Sequence, residues 1–226
     1  MLSLALETST PLGSVALGEG DAVLAESALS VRATHSETLM PEVERLLELC
    51  GRELSEIRAV VAGAGPGSFT GVRIAAALAK GFCFGSEASL YAYSSLLAVA
   101  AGTGLSGGVC ALVDARRGEV YAAAYRRVAP PELEAGPTAL PVEELLAALS
   151  PCDWRFVGTG ARVHRERIVA AGGRVLPGHL AHPRGSALLW LARRWPELGR
   201  VDAPASWEPE YVRRSGARRG TERATS

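Results

Sequence analysis

Paired cysteines are missing from this chain of 226 residues. Its four cysteines, Cys50, Cys83, Cys110 and Cys152, form no C-x-x-C motif, and none has a nearby histidine at metal-ligand spacing. A zinc site is therefore not expected. Isolated cysteines inside apolar segments are typical of reduced core residues in a cytosolic protein.

Net charge is missing as well, because 24 basic residues balance 24 acidic ones. No global field steers nucleic acid or an anionic membrane toward such a chain. The N-terminus lacks the basic segment of a signal peptide, and no apolar run reaches the roughly 18 residues of a membrane span. The composition, with 48 % hydrophobic and 21 % charged residues, predicts a globular cytoplasmic protein of one large domain or two smaller ones.

The glycine-rich stretch 65–73, with the sequence GPGSFTGVR, lacks the marks of known phosphate and nucleophile loops. No lysine follows its last glycine as a Walker loop requires, and Ser68 stands where a dinucleotide fingerprint needs glycine. Pro66 and Thr70 break the G-x-S-x-G pattern of a nucleophile elbow. The stretch lies between an apolar run and an Ala-rich helical pattern, so it is predicted to be a strand-to-helix turn with Ser68 or Thr70 as N-cap. It can hold an anion at the helix N-terminus, or it can be a tight turn without a ligand.

Hydrophobic periodicity divides the first half into a meander of strands followed by alternating helices and strands. Strands are predicted at 2–7, 14–18, 22–30, 58–63 and 89–93, and helices at 36–50, 71–84 and 94–101.

A glycine-rich joint at 102–108 marks the predicted boundary between a first domain, 1–102, and a smaller, degenerate second domain, 103–226. In the second half, strands are predicted at 109–114, 119–126 and 155–158, and helices at 142–149, 161–171 and 184–195. Four prolines within 127–141 indicate a long excursion, and the segment from about residue 197 onward is expected to be loose at its end.

Each half begins with a strand–turn–strand unit that carries an acid near its turn, Glu7 in the first and Asp114 in the second. Each turn can present backbone N–H groups and a carboxylate to phosphates or a metal, and the turn at 158–160 can lie near an adenosine. Taken singly, each is equally an ordinary β-hairpin turn. Together they have the layout of the actin, Hsp70 and sugar kinase superfamily. This layout predicts an α/β fold of two tandem actin-like, ribonuclease H-like domains with mixed sheets flanked by helices. The residues of a vestigial nucleotide site are then Glu7, Thr8, Ser9, Thr10, Asp114, Gly158 and Gly160.

Four segments taken together resemble the bacterial TsaB family. They are LALETST at 4–10 with GSVAL at 13–17, HSETLMP at 35–41, GPGSFTGVR at 65–73 and VDARRGEVY at 113–121. The resemblance runs in order over about residues 2–126, and it is fainter at 158–161 and 209–213. Glu7 stands where the family usually has aspartate, so an extra methylene displaces this carboxylate from any ion or phosphate.

The resemblance implies a non-catalytic subunit. Family members pair with the enzyme TsaD, which makes threonylcarbamoyladenosine beside the anticodon of tRNA, and a small ATPase, TsaE, is the third component. It also implies a homodimer when the chain is alone and contact with tRNA only through the complex. No tightly bound cofactor is implied, and ATP or ADP is expected only at an interface shared with the partners.

The segment after His35 departs from the metal motif of the catalytic relative. That enzyme holds a metal with two histidines four residues apart, a spacing that places both imidazoles on one helical face. Here Leu39 stands four residues after His35, so no metal site is expected. Thr34 or Ser36 is the predicted cap of this helix.

Two helices carry the predicted partner surface. Helix 71–84 has only Arg73 and Lys80 as charged residues, and a helix that is apolar around most of its circumference must be covered on more than one side. In the family, this helix and helix 36–50 form a four-helix bundle with the equivalent helices of TsaD. An ordinary internal helix is the alternative. The predicted interface residues are Leu39, Met40, Val43, Leu46, Leu47, Val72, Arg73, Ala75, Ala76, Leu78, Ala79 and Phe82.

Two enzyme classes are the alternatives to a non-catalytic subunit. A small-molecule kinase of the same fold would use Glu7 or Asp114 with Mg²⁺ and ATP, but no clear catalytic base follows the glycine stretch. A serine hydrolase would use Ser68, which lacks its motif.

The C-terminal tail is rich in arginine. It is either a solubilising tail or a salt-sensitive contact to tRNA phosphates. Its arginines are Arg213, Arg214, Arg218, Arg219 and Arg223.

Overall fold

The computed structural model describes residues 1–30 and 35–212, which form two lobes built on two mixed β-sheets. The strands are β1 (Leu2–Glu7), β2 (Leu12–Glu19), β3 (Ala22–Ser30), β4 (Ile57–Gly63), β5 (Ser89–Tyr93), β6 (Val109–Arg116), β7 (Glu119–Val128), β8 (Pro131–Pro141), β9 (Arg155–Val157), β10 (Arg174–Val175) and β11 (Arg200–Val201). The helices are α1 (His35–Leu49), α2 (Phe69–Phe84), α3 (Ser95–Ala101), α4 (Val142–Ala148), α5 (Thr159–Val163), α6 (Arg165–Ala170), α7 (Gly185–Arg194) and α8 (Pro196–Gly199). Short 3₁₀ turns lie at Leu54–Glu56, Pro151–Asp153 and Gly178–Leu180.

The two sheets repeat one strand order. The first sheet runs β11-β5-β4-β1-β2-β3, and the second runs β10-β9-β6-β7-β8. In each, an antiparallel meander opens the lobe, and its first strand then pairs in parallel with the strand that follows the first crossover helix. The predicted α/β fold, with two mixed sheets flanked by helices, is confirmed.

The faces of the first sheet separate the core into layers, because successive side chains of a strand point to opposite faces. Leu4 and Leu6 of β1 pack under α1 and α2 on the outer face, whereas Ala5 faces the inner layer. That inner layer holds α3 and α7 between the two sheets, with Leu96 and Leu188 fully buried. A third cluster lies on the outer face of the second sheet, under α4, α5 and α6.

The end of the chain returns to the first lobe. Helix α7 packs on β1 and β2, and β11 pairs antiparallel with β5 at the edge of the first sheet. Residues 185–212 thus lie on the first lobe, although the predicted second domain, 103–226, includes them.

Two local predictions were wrong. The proline-rich segment 127–141 is not an excursion, because residues 131–141 form β8 along β7. The predicted helix 161–171 is interrupted at His164 and forms two short helices. The segment after residue 197 contains β11 and packs on α2 up to Tyr211, and its end lies outside the described residues.

Some predictions fall outside the described residues. These are the cap at Thr34 and the arginines of the tail, 213–223. Among the helices that the structure describes, none combines the length and hydrophobicity needed to cross a bilayer.

Candidate functional site: the glycine turn and helix α2

The glycine turn, residues 65–71, packs directly on the β1–β2 turn. Ser68 N–H donates to the Ser9 carbonyl at 2.7 Å, and the Thr8 hydroxyl donates to the Gly71 carbonyl at 2.6 Å. A Cβ added at Gly67 would overlap the Ser9 carbonyl, and one at Gly71 would overlap the Thr8 carbonyl. These two glycines are therefore required for close approach of two backbone segments. The turn fills the space above residues 8–10, so Thr8, Ser9 and Thr10 are buried.

Glu7 is fully buried beneath this turn. One of its carboxylate oxygens accepts Ser9 N–H at 2.6 Å, and the other accepts the Ser95 hydroxyl at 2.8 Å. Gly63 leaves the room for this carboxylate, because a Cβ there would overlap it. Burial raises the pKa of Glu7 above its ordinary value, and the hydrogen bonds offset part of that rise. One oxygen thus ties β1 to the start of α3, and the other holds the turn that follows β1.

The other predicted nucleotide-site residues lie together in the second lobe. Asp114 N–H donates to the Thr159 hydroxyl at 3.0 Å, and a carboxylate oxygen of Asp114 accepts Arg116 N–H at 2.9 Å. Gly158 has φ +111°, and a Cβ there would overlap the Leu112 carbonyl. Gly160 packs against Val120 and Leu112. The structure therefore divides the predicted site into two groups, one in each lobe.

Leu39, which stands where the catalytic relative would have its second histidine, lies in the core. Helix α1 begins at His35, and Leu39 is 4 % exposed within the cluster under α1 and α2. In residues 1–30 and 35–212, no group of three or more histidine, cysteine, aspartate or glutamate side chains can hold a metal ion.

Helix α2 starts from the glycine turn. Gly71 N–H donates to the Ser68 hydroxyl at 3.2 Å, so Ser68 is the N-cap and satisfies one of the free donors of the first turn. The alanines and Val72 on one side of the helix are small enough to lie flat on the sheet. The turn thus fixes both the start and the rotation of α2.

Most of the predicted interface residues belong to the interior of this chain. Their side chains are covered by the first sheet and by the other helix, so they are core residues and not a free surface. These buried residues are Leu39, Val43, Leu46, Leu47, Val72, Ala75, Ala76 and Ala79. Met40, Leu78 and Phe82 are half-buried, and Arg73 is exposed.

An uncharged strip lies on the side of α2 that faces away from the sheet, and we call it the open face. Its exposed residues are Thr70, Ala77, Gly81 and Phe84, and it is bordered by half-buried Ile74, Leu78 and Phe82, which also pack against the core cluster under α1 and α2. Phe84 is 93 % exposed, and a Cβ added at Gly81 would meet no described atom within 4 Å outside its own helix turn. The predicted interface includes Leu78 and Phe82 but not Thr70, Ile74, Ala77, Gly81 and Phe84. Their spacing of three and four residues, opposite the buried alanines, is the signal that could have found them.

A cavity of about 720 Å³ lies elsewhere, between α7 and the first sheet, where Ser3, Gly18 and Ala59 present small side chains. None of the residues of either turn lines it. The predicted nucleotide-site residues therefore do not line this cavity.

Comparison with known proteins supports the resemblance found in the sequence. The family whose sequence profile matches residues 23–218 is described as TsaD, tRNA N6-adenosine threonylcarbamoyltransferase. The Escherichia coli protein TsaB, named for tRNA threonylcarbamoyladenosine biosynthesis, is 34 % identical, with 96 % of each chain covered. The Bacillus subtilis protein of the same name is 38 % identical over 56 % of each chain.

Solved structures agree in fold. A Pseudomonas aeruginosa protein described as similar to peptidase YeaZ superposes with a TM-score of 0.79 at 30 % identity, covering 94 % of this chain and 99 % of its own. The ethanolamine utilization protein EutJ from Carboxydothermus hydrogenoformans, at 13 % identity and a TM-score of 0.54, shares the fold, covering 86 % of this chain and 90 % of its own.

Proposed function

This chain belongs to the TsaB family of tRNA threonylcarbamoyladenosine biosynthesis proteins, and from that premise we propose that it is a non-catalytic subunit of the modification complex. In this proposal it binds the threonylcarbamoyltransferase TsaD, supports its activity, and works together with the ATPase TsaE. In this proposal TsaD, and not this chain, forms threonylcarbamoyladenosine beside the anticodon of tRNA.

The observation that carries the proposal is the open face of α2. It contains no charge, it includes a nearly fully exposed phenylalanine, and small residues at Ala77 and Gly81 let another helix approach closely. Half-buried Met40 extends it onto α1. A standard interface buries about 1,600 Å² in total, and a few central side chains carry most of its binding energy. A strip of this kind fits the core of a helix–helix interface better than it fits contact with water.

The buried turns support a non-catalytic role. Both oxygens of Glu7 are engaged within the fold, and the glycine turn covers the β1–β2 turn where a kinase of this fold would hold phosphates. Leu39, in the position of the second metal ligand, packs in the core. In this proposal any ATP or ADP binds at an interface shared with the partners.

The remaining parts of the proposal follow from the partner. The chain is expected in the cytoplasm, where the tRNA that the complex modifies is found. It is expected to meet tRNA only as part of the complex. Without TsaD, the same open face pairs two copies of the chain, since an exposed apolar strip is also complementary to itself across a two-fold axis.

The test is a glutamate placed at the centre of the open face. Gly81→Glu adds a charged side chain where this chain leaves space, so the monomer should stay folded. Circular dichroism checks this. Association with purified TsaD in analytical gel filtration is expected to be lost, because a desolvated unpaired charge at the centre of an interface costs several kcal/mol. Gly107→Glu is the matched control, since Gly107 is also surrounded by open space but lies in the joint between the lobes.

Activity provides the second measurement. Formation of threonylcarbamoyladenosine on tRNA by TsaD and TsaE should depend on this chain and should be lost with Gly81→Glu. If Gly81→Glu still co-elutes with TsaD, the open face is not the interface. If TsaD and TsaE modify tRNA equally well without this chain, the proposed role is wrong.

A further inference from the structure

The last described residues run along one side of helix α2, where they contact Phe69, Arg73 and Lys80. We call residues 203–212 the strap. It begins just after β11 with a turn in which Trp207 N–H donates to the Ala203 carbonyl at 3.1 Å, and it ends beside the glycine turn. The PEYV part of the faintly matching segment at 209–213 lies within it.

The strap holds both charged side chains of α2. Lys80 Nζ donates to the Ala205 carbonyl at 3.3 Å and lies 3.5 Å from a carboxylate oxygen of Glu208. Arg73 Nε donates to the Tyr211 hydroxyl at 3.0 Å. The Arg73 guanidinium also lies 4.0 Å above the Phe69 ring, which packs at 5.2 Å from the Tyr211 ring.

The strap is fixed to the first lobe at other points as well. The Trp207 side chain packs against the core cluster under α1 and α2. Glu210 N–H donates to the Ala64 carbonyl at 2.9 Å, just beyond the end of β4. Gly65 allows this close passage, because a Cβ there would lie 3.1 Å from the Glu210 carbonyl.

Arg73 and Lys80 border the open face. Residues three and four apart are neighbours on a helix surface, so Arg73 adjoins Ala77, and Lys80 adjoins both Ala77 and Phe84. Each side chain is long enough to reach over these small or exposed neighbours when nothing holds it. A guanidinium or ammonium over the open face would have to lose water when an apolar partner binds.

From these contacts we propose that the strap prepares the partner-binding surface by drawing Arg73 and Lys80 away from the open face. Tyr211 is the positioning residue, because it supplies both the hydrogen-bond acceptor and the ring against which Arg73 and Phe69 pack. The inference rests on the proposed function, since it concerns the surface that binds TsaD.

A double-mutant cycle between Tyr211 and Arg73 tests the inference. Tyr211→Ala releases Arg73 and is expected to weaken the affinity for TsaD about tenfold, the size of one modest electrostatic penalty. In the Arg73→Met background no charge remains to be held, so the double variant Arg73→Met/Tyr211→Ala should bind within about twofold of Arg73→Met alone. A purely structural role of Tyr211 predicts the same loss in both backgrounds.

Tyr211→Phe separates the two parts of the contact. It keeps the ring beside Phe69 and removes the acceptor for Arg73 Nε. Its affinity for TsaD should therefore lie between that of wild type and that of Tyr211→Ala. Thermal unfolding of every variant, followed by circular dichroism, establishes that the lobe remains folded. Isothermal titration calorimetry with TsaD measures the affinities.

The outcomes distinguish the two proposals. If wild type binds TsaD and Tyr211→Ala binds equally well, the strap inference is overturned and the proposed function stands. Equal losses in the two backgrounds overturn it too. If wild type does not bind TsaD, both fail, since the strap then has no partner surface to prepare.

Discussion

The two lobes use the same strand order but differ at the same two places, the first hairpin turn and the helix that follows the fourth strand. In the first lobe the turn is buried under the glycine turn, and a single helix of 16 residues, α2, follows. In the second lobe Arg116, Arg117 and Gly118 are exposed, and the equivalent helix is broken at His164 into pieces of five and six residues.

The difference shows how a glycine-rich turn can serve a helix. In the first lobe the glycines bring two backbone segments into contact, and this contact fixes where α2 starts and which side it leaves exposed. In the second lobe Arg116 and Arg117 have φ values of 64° and 55°, and the turn extends into solvent. The glycine turn, packed on the β1–β2 turn, positions a helix, whereas the second-lobe hairpin turn is exposed and Asp114 accepts Arg116 N–H within it.

The largest effect is expected from adding a methyl group to the glycine turn, where it packs on the β1–β2 turn. Gly71→Ala should lower the free energy of unfolding by about 3 kcal/mol or more, because its Cβ meets the Thr8 backbone, which cannot move aside. Gly118→Ala, in the uncovered turn, should cost only about 1–2 kcal/mol, since φ +81° strains it but no described atom lies within 4 Å. Urea unfolding measures both, and equal losses would contradict the contrast between the turns.

The second prediction compares exposed apolar residues of the two lobes. Phe84→Glu, on α2, should weaken TsaD binding about 30-fold, which equals about 2 kcal/mol, because Phe84 lies on the open face. Val169→Glu, on α6, places the same charge at an apolar residue that is 51 % exposed in the other lobe, and it should leave the affinity for TsaD unchanged. Calorimetric titration compares them, and comparable losses would mean that the partner contacts both lobes.

The acids near the two turns give a third test. Burial raises the pKa of Glu7, so the protonated form is favoured in the folded chain. Its contribution to stability is then complete below the ordinary value of 4.5 and is lost as pH rises through the raised pKa. The free energy of unfolding of Glu7→Gln should therefore exceed that of wild type at pH 7, and by a smaller margin near pH 4.5.

Asp114→Asn is the control for this experiment. Asp114 is only half-buried, and its amide can still accept Arg116 N–H, so the pH dependence of wild type should remain. Unfolding by urea between pH 4.5 and 8 measures the difference. A constant difference between Glu7→Gln and wild type across this range would show that Glu7 is not the titrating group.

The smallest effect concerns one helical glycine in each lobe. Gly81→Ala should stabilise the monomer by about 0.5–1 kcal/mol, because alanine favours helix and its Cβ enters open space. Gly160→Ala should destabilise it by about 1 kcal/mol, because its Cβ would lie 2.9 Å from Val120 and 3.1 Å from Leu112. Thermal unfolding measures both changes in stability, which should have opposite signs. Changes of the same sign would contradict the outward orientation of Gly81 and the inward orientation of Gly160.

The strands and the course of the first lobe could be predicted because alternation and helical periodicity are local signals. Strand β8 could not, since Pro131, Pro137 and Pro141 argue against a strand in general. They are tolerated here because β8 is the edge of its sheet, where one side of the backbone needs no partner.

The open face was only half predictable. Residues of α2 are apolar all round, so composition alone does not tell which alanines face the sheet, and Ala76 proves to be 4 % exposed while Ala77 is exposed. The strap was missed because its anchors, Trp207, Glu210 and Tyr211, follow neither a helical nor a strand period. Only the fold brings them to Ala64, Phe69 and Arg73.

The return of the chain end to the first sheet has a consequence for synthesis. Strands β1 to β5 leave the ribosome before the second lobe, yet α7, β11 and the strap, which cover β1, β2, β5 and α2, are made after it. Domains made early usually fold before the rest is finished. Here the second lobe, inserted between the two parts of the first, is complete earlier, so the first lobe can close only after translation has reached the strap.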